Sequence, residues 1–204
     1  WSDGGMEGKL TRIADYYSGN SGNPDLVLAR HVLEHQQNVR AFTELMARES
    51  PAFLFVEIPC REFVLNDNFH CFANEHCSYL GQDTLDYLMK DIGYRCLASK
   101  RVFNSEYIIA IYARSARIKV KPGISHTRSE RKEQREMLSK PFLDWKKGIR
   151  SKIYKGDMIW GANGKGVMMV NILDLDDRHI PFVCDKNEEI SGKFIPVMGN
   201  QIIA

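Results

Sequence analysis

The segment Phe53-Leu-Phe-Val-Glu-Ile-Pro59 is an apolar run of strand length that ends at a proline. Runs of this kind are typical of strands buried inside a sheet. The polar and aromatic stretch Asn66 to Tyr79 follows it, and its spacing is too irregular for a strand or a helix. Because open α/β sheets bind their ligands at the carboxyl ends of strands, this order predicts a ligand-binding loop over residues 66–79.

Within this loop, Glu75 and His76 are the candidate chemical centre. An imidazole titrates near neutral pH, and a neighbouring carboxylate can orient it or keep it basic. We therefore predict His76 as a general base with Glu75 as its support. The alternative is that both residues only fill the loop and cap the helix that follows.

The chain around this loop alternates strands with helices. The pattern predicts strands at 10–14, 25–29, 52–58, 95–103 and 107–113, and helices at 31–49 and 82–92. The strand at 25–29 is a continuous apolar run, which indicates burial on both faces. Alternation of this kind indicates a mainly parallel sheet with crossover helices, and the last two strands form an antiparallel hairpin at its edge.

A second α/β pattern begins after the break at Lys119 to Gly123. A helix is predicted over 129–154, in two pieces because Pro141 interrupts it. A strand at 158–160, a glycine-rich turn, a helix at 167–173 and a strand at 180–184 follow. The predicted fold class is therefore α/β, divided into a first domain at 1–118, a basic helical linker at 119–155 and a second, partial domain at 156–204.

The turn Gly161-Ala-Asn-Gly-Lys-Gly166 lies between a predicted strand and a predicted helix, and Asp185 ends the next strand. Glycines let the backbone approach a phosphate, and an acid in this position can bind a ribose hydroxyl. The spacing is GxxGxG, which matches neither the dinucleotide fingerprint nor a Walker loop. We predict a phosphate or nucleotide site formed by Gly161, Gly164, Lys165 and Asp185. The alternative is a tight turn without a ligand.

Composition excludes several classes of protein. No apolar run approaches the eighteen residues of a membrane span, and the amino terminus lacks the pattern of a signal peptide. Five cysteines without a CxxC pair indicate reduced thiols and a cytoplasmic protein. Residues 117–155 hold 13 lysines and arginines against 4 acids, which can attract phosphate or simply form a solvated helical face. No DNA-binding motif accompanies them, so no nucleic-acid partner is predicted.

Histidines and cysteines also occur together in and near the loop, but their spacing does not indicate a metal site. The set comprises Cys60, His70, Cys71, His76 and Cys77. Structural zinc sites usually pair ligands two to four residues apart, whereas adjacent His-Cys pairs point in different directions. No metal is therefore predicted. His31, Glu34 and His35 follow the second strand and can face the crevice from its floor, although a helix start explains Glu34 equally well.

Several segments resemble known methyltransferases. The run Pro24-Asp-Leu-Val-Leu-Ala-Arg-His-Val-Leu-Glu-His35 resembles the fourth strand and following loop of class I S-adenosylmethionine-dependent methyltransferases, and Val56-Glu-Ile-Pro59 resembles their fifth strand. Glu75-His-Cys-Ser-Tyr-Leu80 resembles a stretch of the sugar C-methyltransferase family. Ile159–Val167 and Gly192–Pro196 resemble the additional C-terminal Rossmann-like domain of that family.

The resemblance implies the C-terminal part of a class I methyltransferase sheet, then a helical linker and a partial second Rossmann-like domain. It implies S-adenosylmethionine as cofactor and a nucleotide-linked keto sugar as substrate. In that family a base removes the proton beside the ketone, and the enolate takes the methyl group. The resemblance assigns the base to His76, its support to Glu75 and a position near the substrate to His35.

The same resemblance places the cofactor near Asp15, Ala29, Arg30 and His31. The chain departs from the family because Ala73 replaces a tyrosine and because no glycine-rich cofactor turn precedes residue 10. We therefore expect a middle segment of a longer protein. Two alternatives stay open. One is a non-catalytic nucleotide-binding or scaffold protein, and the other is an NAD-dependent dehydrogenase, against which the missing GxGxxG counts.

Overall fold

The computed structural model describes residue 18 and residues 22–115, 128–196 and 198–203. Its first sheet contains β1 Leu26–Arg30, β2 Phe53–Pro59, β3 Tyr94–Val102 and β4 Tyr107–Arg114. The order across the sheet is β1-β2-β4-β3, with β1 parallel to β2 and β4 antiparallel to both of its neighbours. The predicted hairpin is confirmed, but β4 lies inside the sheet and β3 forms its edge. The predicted strand at 10–14 and the boundary at 119–123 lie outside the described residues.

Helices cover one face of this sheet. Alternate residues of the central strands, such as Leu54, Val56 and Tyr112, are fully buried beneath α1 Val39–Met46 and α3 Gln82–Asp91. On β1, by contrast, Leu26 and Leu28 are 47% and 56% exposed. The prediction that this strand is buried on both faces is therefore wrong for the described part of the chain, because described helices pack on one side only.

The predicted helix at 31–49 begins later than expected. A 3-10 turn at Leu33–His35 comes first, and α1 starts only at Val39, where the Asn38 side chain accepts a hydrogen bond from the amide of Ala41. An asparagine at this position satisfies an amide that the helix itself leaves free, so it fixes the helix start. His31 also has a left-handed backbone, with φ of 51°. Residues 31–38 consequently form a loop at the carboxyl end of β1.

The second sheet is small and parallel. It contains β5 Met158–Trp160, β6 Phe182–Cys184 and β7 Ile202–Ile203 in that order, with α5 Lys165–Ile172 between the first two strands. The short strand β7 was not predicted. Before this sheet, α4 Arg128–Arg150 runs through Pro141 as one helix, so the prediction of two pieces is wrong. A proline removes only one backbone donor, and the packing of α4 beyond it keeps the helix continuous.

An aromatic cluster joins the two sheets. The ring of Phe69, in a 3-10 turn of the 66–79 loop, lies 5.4 Å from Phe142 and 5.6 Å from Trp145 of α4, measured between centroids. Edge-to-face aromatic pairs at this distance stabilise a protein by more than the burial of their apolar surface alone. The contact holds α4 and the following glycine-rich turn close to the loop. The structure thus confirms the α/β class, while the domain bounds stay predictions. Among described residues, no helix has the length and apolar character needed to cross a membrane.

Candidate active site

A cavity of about 280 Å³ lies at the carboxyl ends of β1 and β2. Parallel neighbours end at the same edge of a sheet, so the loops after both strands reach this cavity. Because β4 runs antiparallel to β2, its first residue, Tyr107, pairs with Pro59 at the same edge. The cavity lining includes His31, Glu34, His35, Glu75, His76, Tyr107, Gly164 and Lys165. Residues predicted separately as catalytic and as phosphate-binding therefore meet in one place.

Two loops hold the histidines together. The backbone carbonyl of Glu34 accepts hydrogen bonds from the amides of Cys77, at 2.6 Å, and Ser78, at 3.2 Å. Nδ1 of His35 lies 3.1 Å from the carbonyl oxygen of Glu75. These bonds bring the His35 and His76 rings edge to face, with centroids 4.9 Å apart. The predicted catalytic residues thus lie side by side.

The carboxylate nearest to His76 is not the one adjacent in sequence. Glu75 is exposed and contacts His35 through its backbone carbonyl. Glu34 is only 2% exposed, and it offers an oxygen within 4.8 Å of a His76 ring nitrogen. Burial lowers the pKa of His76, and the negative charge of Glu34 opposes that change. The fold thus places His76 in the cavity as a partly buried imidazole beside a buried carboxylate.

The predicted cofactor residues lie at the end of β1. Ala29 is buried in the core, and Arg30 donates hydrogen bonds to Glu57 at 2.7 and 3.1 Å. These bonds hold the pKa of the Glu57 carboxyl below its usual range. Both ring nitrogens of His31 also lie near carboxylates, Nδ1 of Glu34 at 3.2 Å and Nε2 of Glu57 at 3.1 Å. Asp15 lies outside the described residues.

These positions fit a cofactor in part. Arg30 and His31 occupy the edge where an α/β sheet holds its ligand. The Arg30 guanidinium is bonded to Glu57, and the two ring nitrogens of His31 lie near Glu34 and Glu57, so both side chains already have partners at this edge. The predicted position of S-adenosylmethionine is therefore the carboxyl end of β1, where Arg30 and His31 would hold the cofactor.

A phenol and a lysine complete the rim of the cavity. The Tyr107 hydroxyl donates to Oε1 of Glu106 at 3.0 Å, and Nζ of Lys165 lies 3.5 Å from the same oxygen. Burial, followed by the hydrogen bond to Glu106, raises the pKa of Tyr107 to about 12. Tyr107 therefore stays protonated near neutral pH. Lys165 is the first residue of α5, so this contact joins the second sheet to the first.

Only part of the glycine-rich turn lines the cavity. Gly161 and Gly164 both have positive φ, at 108° and 40°, and Gly164 lies in the cavity wall just before α5. The carboxylate of Asp185 accepts the amides of Ala162 at 2.8 Å and Asn187 at 2.9 Å. Asp185 thus joins the turn at Ala162 to the segment that follows β6. Gly161 and Asp185 are not among the described residues that line the cavity.

Sequence reasoning did not single out Tyr107 and Glu106, and it left Glu34 undecided. Tyr107 follows a hairpin turn, and nothing in the local pattern distinguishes it from other strand residues. Its position becomes visible only from the strand order, because β4 must pair with β2 for Tyr107 to reach the cavity. For Glu34 the only signal was its position between Leu33 and His35, directly after a strand.

A larger cavity of about 460 Å³ lies between α4, β5 and α5. Its walls are mainly apolar, and include Ile149, Ile153, Met169 and Leu173. Reactive sites need a few convergent polar groups within an apolar pocket. This second cavity shares Lys165 with the first but lacks the cluster of carboxylates and imidazoles, so the smaller cavity is the candidate active site.

Residues 142–204 match the family model of the C-methyltransferase C-terminal domain. Among solved structures, the chain is similar to magnesium protoporphyrin IX methyltransferase (ChlM) from Synechocystis PCC 6803 with bound SAH, at 16% identity, 48% coverage of each chain and a TM-score of 0.39. The chain spans about half the length of that structure. No curated protein matches the chain. The family match over residues 142–204 agrees with the methyltransferase class predicted from the sequence.

Proposed function

We propose that the chain acts in the S-adenosylmethionine-dependent methylation of a carbon atom in a nucleotide-linked keto sugar. The observation that carries this proposal is the shared cavity, in which His35 and His76 face the turn formed by Gly164 and Lys165. The family match to a C-methyltransferase domain supports the reaction class. The domains that we propose are the sheet at 1–118, the linker at 119–155 and the second unit at 156–204.

Carbon methylation requires removal of a proton from a weakly acidic carbon. The cofactor supplies an electrophilic methyl group when it is bound. In this proposal His76 takes the proton from the carbon beside the ketone, because its imidazole lines the cavity and burial favours its neutral form. His35, 4.9 Å away between ring centroids, contacts the substrate from the same side. Tyr107, whose hydroxyl donates to Glu106, lines the same cavity as a neutral phenol.

The nucleotide part of the substrate needs a site for its phosphates. Backbone amides at the start of a helix attract anions, and a nearby lysine adds positive charge. Gly164 and Lys165 provide both at the start of α5, on the wall of the cavity. Asp185 supports this site indirectly, because its carboxylate accepts a hydrogen bond from the Ala162 amide within the turn. The excess of basic residues over 117–155 adds attraction for phosphate in the same half of the chain.

Product analysis tests this proposal. The protein expressed from its full reading frame is incubated with S-adenosylmethionine and a nucleoside-diphosphate keto sugar, and the product is examined by mass spectrometry and NMR. We expect one new methyl group on the carbon next to the carbonyl, and much slower turnover of the free keto sugar. Absence of transfer, with a folded protein that still binds the nucleotide, would favour the scaffold alternative. Transfer to an oxygen would contradict the proposed chemistry.

A further inference from the structure

Three side chains at the floor of the cavity have the composition of a metal site. Glu34, His35 and His76 each offer one ligand atom, and these atoms lie within 4.8 Å of one another. One carboxylate and two imidazoles form a donor set that binds divalent transition metals. Glu34 is only 2% exposed, so it differs from the exposed acidic groups that commonly gather on protein surfaces without a ligand.

Two atoms of this group are buried without a hydrogen-bond partner. Oε1 of Glu34 lies 3.2 Å from Nδ1 of His31, but Oε2 has no partner within the described part of the chain. Nδ1 of His76 is likewise buried and without a partner there. Leaving a carboxylate oxygen and a ring nitrogen unsatisfied inside a protein is costly. A cation held between them would satisfy both.

The third ligand is oriented by its backbone contact. Nδ1 of His35 lies 3.1 Å from the carbonyl oxygen of Glu75, which can only accept a hydrogen bond. Nδ1 must therefore carry the proton, and the lone pair of the neutral ring is on Nε2. Metal-binding histidines typically donate their other ring N–H to a carbonyl or a carboxylate in this way. The contact of Glu34 with His31 orients the carboxylate in a similar manner.

We propose that Glu34, His35 and His76 bind one divalent transition-metal ion, with a further coordination position open to the cavity. Three protein ligands and one open position are the usual pattern of zinc sites that accept water or substrate. Bonds of about 2.0–2.1 Å to a tetrahedral ion bring its ligands roughly 3.3 Å apart, so ligand atoms that now lie within 4.8 Å of one another must close by up to about 1.5 Å on binding. His35 is exposed, so this movement does not require the core to repack.

Binding of a metal ion to His76 prevents the proposed reaction. A metal ion on His76 takes the lone pair that the proposed function assigns to proton removal, so Zn²⁺ binding and proton removal exclude each other. Zn²⁺ is then an inhibitor that a chelator reverses. This consequence rests on the proposed function, whereas metal binding itself does not. A binding measurement on the chain without substrate therefore separates the failure of one proposal from the failure of the other.

Cobalt and zinc titrations test the site directly. Co²⁺ added to the reduced chain should give the visible absorption of an ion with four or five ligands, saturating at one equivalent, and Zn²⁺ should displace it. The five cysteines are a possible competing site, but thiolate ligands add a sulfur-to-metal charge-transfer band in the near ultraviolet. We expect this band to be absent, because the three proposed ligands are nitrogen and oxygen.

Two variants and one control locate the ion. Glu34→Gln keeps the shape of the side chain but removes the negative charge, and His76→Ala removes a ligand. Each should weaken Zn²⁺ binding in calorimetry by about 100-fold or more, since even outer contacts of metal ligands contribute 10- to 100-fold. His70→Asn, a change in a histidine outside the group, should leave the affinity unchanged. Thermal unfolding without metal establishes that each variant is folded.

Three results would overturn the metal site. The first is no stoichiometric binding of Co²⁺ or Zn²⁺ to the folded chain. The second is a charge-transfer band that shows binding through cysteines alone. The third is a folded Glu34→Gln variant with the Zn²⁺ affinity of the unchanged chain.

Discussion

The His76→Asn variant is expected to turn over its substrate about 10²- to 10⁴-fold more slowly than the unchanged protein, because general-base catalysis contributes a factor of this size. Asparagine keeps much of the polarity and size of the imidazole but cannot accept the proton. KM should change little, since His76 acts on the reacting carbon and the phosphates bind elsewhere. Steady-state kinetics on the protein from the full reading frame measures both quantities. His70→Asn is the matched control, as His70 lines the other cavity.

A pair of carboxylate variants shows which acid supports His76. Glu34 is buried and close to the imidazole, whereas Glu75 is exposed. Glu34→Gln should therefore lower turnover more than Glu75→Gln, which leaves the backbone carbonyl of residue 75 in place. If His76→Asn kept full turnover, the base would lie elsewhere, and His35 would be the next candidate.

The second large effect is expected from Gly166→Ala. A Cβ atom at residue 166 would lie 1.8 Å from the carbonyl oxygen of Gly161 and 2.9 Å from its carbonyl carbon. Because both are backbone atoms of the turn, the clash cannot be relieved by rotating a side chain. The free energy of unfolding should fall by about 3 kcal/mol, the upper part of the usual range for overpacking. For a chain of this length that corresponds to a melting temperature lower by roughly 6–12 °C.

A matched helix variant controls for the general effect of replacing glycine. Gly148 lies in α4 with no atom within 4 Å of an added Cβ. Gly148→Ala should stabilise the protein by about 0.5–1 kcal/mol, because alanine loses less entropy in a helix. Tryptophan fluorescence during heating reports on both variants, since Trp145 and Trp160 lie near the turn in sequence. An unchanged melting temperature for Gly166→Ala would show that the turn is not packed as described.

The local sequence pattern was sufficient to predict most of the strands and the helix α3. The apolar run at 53–59 and the hairpin at 95–113 were predicted nearly to the residue, because alternation and strand length are local properties. The helix at 31–49 was predicted too long, since its apolar spacing concealed the cap at Asn38. Continuity of α4 through Pro141 depends on packing that no local pattern contains. The two-residue strand β7 is too short to leave a periodic signal.

The candidate site was predicted in pieces but not as a whole. His35 and His76 were selected from their chemistry and their positions after strands, and the structure places them together. Lys165 lines the same cavity because aromatic contacts hold α4 against the loop. These contacts join residues more than seventy positions apart in the sequence, so no local pattern predicts them. Likewise, the burial of Glu34 results from two loops that bond across forty residues of sequence.

Hydrogen exchange at the substrate carbon is the most direct test of the claim that this cavity performs proton removal. The protein from the full reading frame is incubated in deuterated water with the nucleotide-linked keto sugar and S-adenosylhomocysteine, which cannot donate a methyl group. NMR should show deuterium entering the carbon beside the carbonyl with the unchanged protein and with His70→Asn, and no enzyme-dependent exchange with His76→Asn. Exchange at the unchanged rate in a folded His76→Asn variant would contradict the assignment of His76 as the base, and absence of exchange with the unchanged protein would contradict the cavity as the site of proton removal.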